Sequence, residues 1–291
     1  MPQELVGVIG GTGLGEALAE QITGAELHDL DTPFGKPSGP ILVGSFSGRR
    51  IAFLGRHGPG HKLSPSEVPF AANIFALKKL GVRSLLATGA VGSLREKIAP
   101  GDLVLVDQFV DKTYRRQSSF FGGFGAVHCE MSQPCCPRLR AILAEAARKV
   151  PVTTHEAGTY VCMEGPQFST RAESLMHRAW GADLIGMTAM PEGKLAREAQ
   201  ICYALIALAS DYDCWRPHEP GKDSRTLLQE ILANLRSATN NCLELIKAVL
   251  AGEVALTGED CPCRHSLELA VWTDPETIEA CEKEKLQVLF E

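Results

Sequence analysis

Nowhere does this sequence approach the ~20 uncharged apolar residues that a helix needs to cross a bilayer, so a membrane-spanning helix is not expected. Lys and Arg run no longer than pairs such as Lys78–Lys79 and Arg115–Arg116, and the formal charge is −6, so the basic stripe of a nucleic-acid-binding surface is missing. An anionic ligand must then be held by a few local groups. The dinucleotide fingerprint is also absent: G-x-G-x-x-G needs Gly at 10, 12 and 15 or at 11, 13 and 16, and Thr12 and Glu16 break both registers. The Walker spacing is not there either. The opening MPQELVGVIGG has no basic segment ahead of a long apolar one, so the chain is expected to be soluble and cytoplasmic.

With 45% hydrophobic residues, the 291-residue chain can bury a substantial core. No internal repeat or low-complexity linker divides it. The economical reading is one domain over 1–250 and a tail, 251–291, that packs on the core or on a neighbour. Ten cysteines without a secretory signal favour reduced thiols, and Cys162, Cys202 and Cys242, set in apolar runs, are expected to be buried and structural.

Ile201–Trp215, ICYALIALASDYDCW, carries the strongest local signal. Its uncharged first half reads as a buried strand, and open α/β sheets bind ligands beyond the carboxyl ends of such strands. Asp211 and Asp213 stand at that point; the alternative is that they form a turn or cap a helix. Other apolar runs also end in small or charged residues. Leu5–Ile9 leads into Gly10–Gly15 and a helix start, a possible anion cradle or a simple tight connection. The pair Ile41–Phe46 and Arg50–Leu54 reads as a hairpin ending at Gly55–His61, where Arg56 and His57 can direct donors at an oxyanion. His57 and His61 have the spacing of a helical metal pair, but Gly58-Pro59-Gly60 between them opposes a helix, and no metal is expected there.

Helices are expected over 67–80 (amphipathic), 138–150, the AESLMHRAW stretch, 192–200 and 224–250. Between them, Ser84–Ala87 reads as a strand closed by a second small-residue turn, Thr88–Ser93; strands are also expected at Asp102–Val110 and Thr159–Met163. Phe168, just ahead of a helix, is either a staple for it or a stacking surface for a planar ligand.

Taken in order, the segments GVIGGTGL, DTPFGKPS, RHG, ANIFALKKLG, GSLREKIAPGDLVLVDQFVDKT, EGPQFSTRAES, WGADLIGMT and SDYDCW resemble the trimeric purine nucleoside phosphorylase family, from about Val6 to about Trp215. The resemblance implies a single α/β domain built on a mixed, partly barrel-like β-sheet flanked by helices. It implies cleavage of a purine nucleoside by inorganic phosphate, a co-substrate, with no cofactor and no metal. Thr12, Arg56, His57, Gly89, Ala90 and Thr188 would then hold phosphate, while Phe168 and Met187 would line the base and ribose. Asp211 and Asp213 would be catalytic and would read the purine edge, Asp211 donating a proton to N7 and Asp213 accepting from a 6-amino group.

A carboxylate accepts from the 6-amino group of adenine and repels the 6-carbonyl of hypoxanthine or guanine. The oxopurine-selective branch of the family carries Asn where this chain has Asp211, so a 6-aminopurine is expected. The expected substrate is 5'-methylthioadenosine, the alternatives being 5'-methylthioinosine or purine nucleosides generally; a non-catalytic nucleotide-binding module is the reading from another class. Ser169, Ser224 and Leu227, with His128 from an adjacent subunit, would set 5' specificity, and Ser224 replaces an apolar residue of the close relatives. A homotrimer, or a dimer of trimers, is implied. The tail motif Cys261-Pro262-Cys263-Arg264-His265 could be inert thiols, a disulfide of the kind found in thermophilic relatives, or a zinc fragment completed by Cys281, the first two being preferred.

Overall fold

Strand alternation sorts the apolar residues of this chain onto two buried faces. The structure, a computed structural model, describes residues 4–11, 13–217 and 223–291, with Glu16 and Ser224 described by their backbone alone. In chain order the elements are β1 (Leu5–Gly10), α1 (Leu14–Ala19), β2 (Thr23–His28), β3 (Ile41–Phe46), β4 (Arg49–Gly55), α2 (Phe70–Lys79) and β5 (Ser84–Ser93). Then follow β6 (Leu103–Leu105), β7 (Gln108–Asp111), α3 (Pro137–Ala147), β8 (Thr154–His155), β9 (Thr159–Cys162) and α4 (Arg171–Ala179). The chain ends with β10 (Leu184–Gly186), α5 (Glu192–Glu198), β11 (Cys202–Asp211), α6 (Ser224–Ala251) and α7 (Ala280–Leu286).

The described strands form one mixed sheet, in the order β2-β3-β4-β1-β5-β10-β9-β7, with β11 joined to β5 and β6, and β8 to β6. β5 is the pivot. It runs parallel to β1 over Ser84–Ala87 and to β11 from Ser84 to Gly92, and at Gly92 and Ser93 it pairs antiparallel with β10. Only Val106 and Asp107 separate β6 from β7. Their amides donate to Leu205 O (3.0 Å) and Gly158 O (3.4 Å), so 103–111 is a bent strand shared between β11 and β9. The circuit β5–β11–β6/β7–β9–β10–β5 thereby closes, and this is the barrel-like part of the sheet.

Along β11, Cys202, Ala204, Ile206 and Leu208 face one apolar cluster, with α3 and α6, while Tyr203, Leu205, Ala207 and Ala209 face the other, with α2 and α5. Both faces of the sheet are therefore covered, which is why its central strands read as continuous apolar runs. α2 is buried along Phe70–Lys78, so the helix expected to be amphipathic is enclosed nearly all round. Tail residues reach both clusters: Leu267, Ala270, Ile278, Leu286 and Leu289 join the one with α2 and α5, and Leu256, Cys261 and Cys263 the one with α3 and α6. Among the described residues no helix is long and apolar enough to cross a membrane.

Two expectations are corrected. Thr88–Ser93 is not a turn but the second half of β5, paired with β11 as far as Asp211↔Gly92; its small residues serve close packing between strands rather than a reversal. Asp102–Val110 is not one straight strand but the bent β6–β7 pair. Because β1, β4, β5 and β11 run parallel, Gly10, Gly55, the Thr88–Gly92 stretch and Asp211 come together along one side of the sheet.

Candidate active site

A cavity of about 1040 Å³ opens at that side of the sheet, and two chemically distinct ends face it. At one end β11 stops in a bulge: the register with β5 shifts between Ala209 and Asp211, and Ser210 is the extra residue. Ser210 Oγ lies 3.2 Å from Val91 O and 2.7 Å from Asp211 Oδ2, while Asn234 of α6 donates to Ser210 O at 3.1 Å. The Asp213 amide donates to Asp211 Oδ1 at 2.7 Å, and Asp213 adopts a left-handed φ of 49°, a region that Asp tolerates better than most residues. Ser174, buried on α4, donates its hydroxyl to Asp213 Oδ2. Burial raises the Asp213 carboxyl above its ordinary value, with the charge of Asp211 adding and the bonds from Ser174 and the Cys214 amide opposing. Gly92 is the floor beneath the pair: a Cβ there would lie 3.1 Å from Asp213 Cβ and Ile185 Cγ2, and 3.3 Å from Asp211 Oδ1. The sequence offers no signal for that role.

At the other end stands Arg56, fully buried. Its Nε and Nη2 donate to the two oxygens of Glu192 at 2.8 and 2.9 Å, and Nη1 donates to Thr88 O at 2.7 Å. A guanidinium has five N–H groups, so one remains on each terminal nitrogen for an anion in the cavity. Glu192 also accepts from Tyr203 Oη at 3.0 Å and is itself 1% exposed, so it fixes the plane of Arg56 and balances its charge. Burial pulls Arg56 down, but the charge and hydrogen bonds of Glu192, with Tyr203 and Tyr160 adding, together more than offset it and hold the guanidinium above its ordinary value. Glu192 lies 136 positions away and was not among the residues read from sequence.

Gly11 brings its backbone against this group. Its amide donates to Thr88 Oγ1 at 3.1 Å, and a Cβ would lie 2.9 Å from Thr88 O and 3.1 Å from Arg56 Nη1. Gly89, Ala90 and Thr188 line the same cavity, with Thr188 Oγ1 3.5 Å from where a Gly89 Cβ would stand. Thr12 lies outside the described residues.

His57 is brought to the cavity but not as a simple donor. Its Nδ1 lies 2.8 Å from Leu63 O, and a carbonyl can only accept, so Nδ1 carries the hydrogen. The ring stacks on His61 at 4.2 Å between centroids. Burial pushes His57 down to about 4, against the Leu63 bond and together with Arg56 and His61. Near neutral pH it is therefore uncharged, and its Nε2 offers a lone pair. His57 lines the cavity beside Arg56, where an oxyanion contact was expected.

The walls between the two ends include Met187, Phe168 with Ser169, and one face of α6. Met187 lines the cavity, and its carbonyl accepts from Arg116 Nη1 at 2.7 Å. Arg116 is itself paired with Glu164 at 3.1 Å. Against the cost of burial, bonds from Ser66, the Tyr114 and Arg115 amides and Arg116 hold Glu164 down at about 2. This buried pair fixes the Met187 backbone and was likewise not read from sequence. Phe168 lines the cavity while 86% exposed; as it precedes neither the N-cap directly nor packs on α4, it is no staple, and the capping there is done by Thr170 and Glu173. Ser169, Leu227 and Ile231 also line it, the last two one turn apart on α6 and forming an apolar wall. The side chain of Ser224 lies outside the described residues. His128 is not among the lining residues of its own chain; it is exposed, its ring 4.9 Å from that of Trp272.

Comparison with known proteins agrees with this layout. The sequence model of the phosphorylase superfamily matches residues 5–251. The S-methyl-5'-thioadenosine phosphorylase of Gloeobacter violaceus is 46% identical over 293 residues, covering 99% of this chain and 96% of that protein. The protein of the same name from Cereibacter sphaeroides is 48% identical, covering 93% and 92%. Among solved structures, a methylthioadenosine phosphorylase from an antarctic soil metagenomic library superposes with a TM-score of 0.88 at 42% identity over the full length of both chains. Methylthioadenosine phosphorylase from Schistosoma mansoni in complex with adenine superposes with a TM-score of 0.84 at 35% identity, covering 93% of this chain and 99% of that one.

Proposed function

Because the chain belongs to the phosphorylase superfamily, and within it to the S-methyl-5'-thioadenosine phosphorylase family, we propose that it cleaves 5'-methylthioadenosine with phosphate, giving adenine and 5-methylthioribose 1-phosphate. It is then a pentosyltransferase. The observation that carries this reading is that one cavity holds a buried, charge-balanced guanidinium at one end and a carboxyl pair at the other.

The chemistry follows from that separation. Phosphate is held by the free N–H groups of Arg56, the small-residue backbone at Gly89 and Ala90, the Thr188 hydroxyl and Thr12. His57 Nε2 accepts a hydrogen bond from a phosphate hydroxyl. So placed, a phosphate oxygen waits below C1' of the sugar, and binding the anion beforehand removes the entropy of a bimolecular encounter. As the C1'–N9 bond breaks, its electron pair moves into the purine and the sugar acquires oxocarbenium character. The carboxyl pair supplies a proton to N7, making the base a better leaving group, and phosphate closes on C1'.

The Asp213 amide ties the two side chains together by donating to Asp211 Oδ1, and burial, with the Asp211 charge adding, raises the Asp213 carboxyl. Asp211 donates the proton to N7, and Asp213 accepts from the 6-amino group. Phe168 and Met187 cover base and ribose, and Leu227 with Ile231 suits an apolar 5' group. The exposure of Phe168 supports completion of the site by a neighbouring copy, His128 being the residue offered, in a trimer. In this reading inorganic phosphate is the co-substrate and the reaction needs no cofactor. Release of adenine that requires phosphate tests the reading; hydrolysis without phosphate, or no turnover, sinks it.

A further inference from the structure

Four cysteines that the proposed chemistry does not use meet on the α3–α6 side of the sheet. Cys136 is the residue before α3, Cys202 is the first residue of β11, and Cys261 and Cys263 come from the tail, at the start of and within a 3-10 turn, Pro262–His265. Their sulfurs all lie within 4.8 Å of one another, with Cys136–Cys261 at 3.6 Å and Cys202–Cys261 at 3.5 Å. All four are buried, none more than 5% exposed.

Zn–S bonds of about 2.3 Å to four tetrahedral ligands set the sulfurs about 3.8 Å apart. The Cys136–Cys261 and Cys202–Cys261 separations are close to that edge already. Tetrahedral S₄ sets select zinc or iron–sulfur chemistry, and four ligands leave no open position, the mark of a structural site. We propose that Cys136, Cys202, Cys261 and Cys263 together bind one structural zinc ion.

Backbone hydrogen bonds hold three of the four ligands in place. The Cys136 amide donates to Tyr203 O at 2.8 Å, the Cys202 amide to Arg83 O at 2.9 Å, the Cys261 amide to Gly258 O at 3.2 Å and the Arg264 amide to Cys261 O at 2.8 Å. Cys261 is near two partners at nearly equal distance, so no single disulfide pairing is favoured, whereas one ion satisfies all four sulfurs. Binding exchanges four thiol protons for one Zn²⁺ and involves no oxidation. Cys281, which the sequence suggested as the fourth ligand, is exposed and outside the cluster, and His265 is bonded instead to Glu268 at 2.6 Å. The ion would tie the tail to α3 and to the start of the strand that ends at Asp211.

Elemental analysis of the full chain, purified without chelator, tests this: one zinc per chain is expected, released by an organomercurial as four thiols react. Replacement by cobalt is expected to give the absorption of a tetrahedral cobalt thiolate, and Cys202→Ser to lose it. Should that variant fail to fold, the zinc content of the native chain decides. Only traces of zinc with no cobalt uptake, or a metal-free chain carrying disulfides among these cysteines, would overturn the proposal.

Discussion

Replacing Glu192 by Gln removes the charge that balances Arg56 while keeping shape and one oxygen acceptor. Both side chains are at most 1% exposed, and the pair is joined by hydrogen bonds of 2.8 and 2.9 Å. Removing one partner of a buried pair costs about 3–5 kcal/mol, because the remaining charge stays desolvated without compensation. Gln retains an oxygen for one guanidinium N–H or for Tyr203, which places Glu192→Gln at the low end, about 3 kcal/mol. At about 2–4 °C per kcal/mol for large domains, that is a fall in Tm of roughly 6–12 °C. Phosphate restores a negative charge beside Arg56, so it should stabilise the variant more than the native protein, while the loosened guanidinium lowers kcat. Thermal melts of both proteins with and without phosphate, together with steady-state rates, measure each part. An unchanged Tm and an unchanged phosphate-induced shift would refute the argument that Glu192 compensates and positions the anion-binding arginine.

Asp211→Asn should move the preference from 6-amino toward 6-oxo purine nucleosides, read as the ratio of kcat/KM for adenosine-type and inosine-type substrates; an unchanged ratio removes Asp211 from base selection. Gly92→Ala pushes a methyl group against Asp211 and Asp213 and should cut kcat/KM for the nucleoside by about ten- to a hundredfold, with KM for phosphate little changed. Equal loss in both substrates would mean that the fold, not the carboxyl pair, was disturbed. His57 takes up a proton at about 4 in the folded chain and near 6.5 when unfolded. The unfolded state therefore binds more protons in this window, so stability contributed by His57 is present above 6.5 and lost as pH falls toward 4. His57→Asn should flatten that part of the profile of Tm against pH.

Residues that act at strand ends were largely legible, because a buried apolar run that stops at a charge or glycine marks the functional side of a sheet. Arg56, His57, Asp211 and Asp213 were all located in this way, and all line the cavity. Their partners were not. Glu192, Ser174 and the Arg116–Glu164 pair touch the site residues or their backbone only after folding, and a lone Glu or Ser in sequence carries no trace of a contact 39 or more positions distant. Strand β2, whose residues 23–27 are all exposed, has no apolar alternation to reveal it. The glycines of β5 look like a turn from composition alone, and only pairing with β11 shows that they let two strands and two carboxyl groups approach. For the same reason Cys136 and Cys202 could not be joined to Cys261 and Cys263, since neither lies near the other in sequence.

The most direct test of the account is product formation from 5'-methylthioadenosine, adenosine, 5'-methylthioinosine and inosine, each measured with and without phosphate. Adenine and 5-methylthioribose 1-phosphate should form only when phosphate is present, with kcat/KM highest for 5'-methylthioadenosine and both 6-oxo substrates far behind. Equal turnover of inosine-type substrates, or base release that does not depend on phosphate, would contradict it.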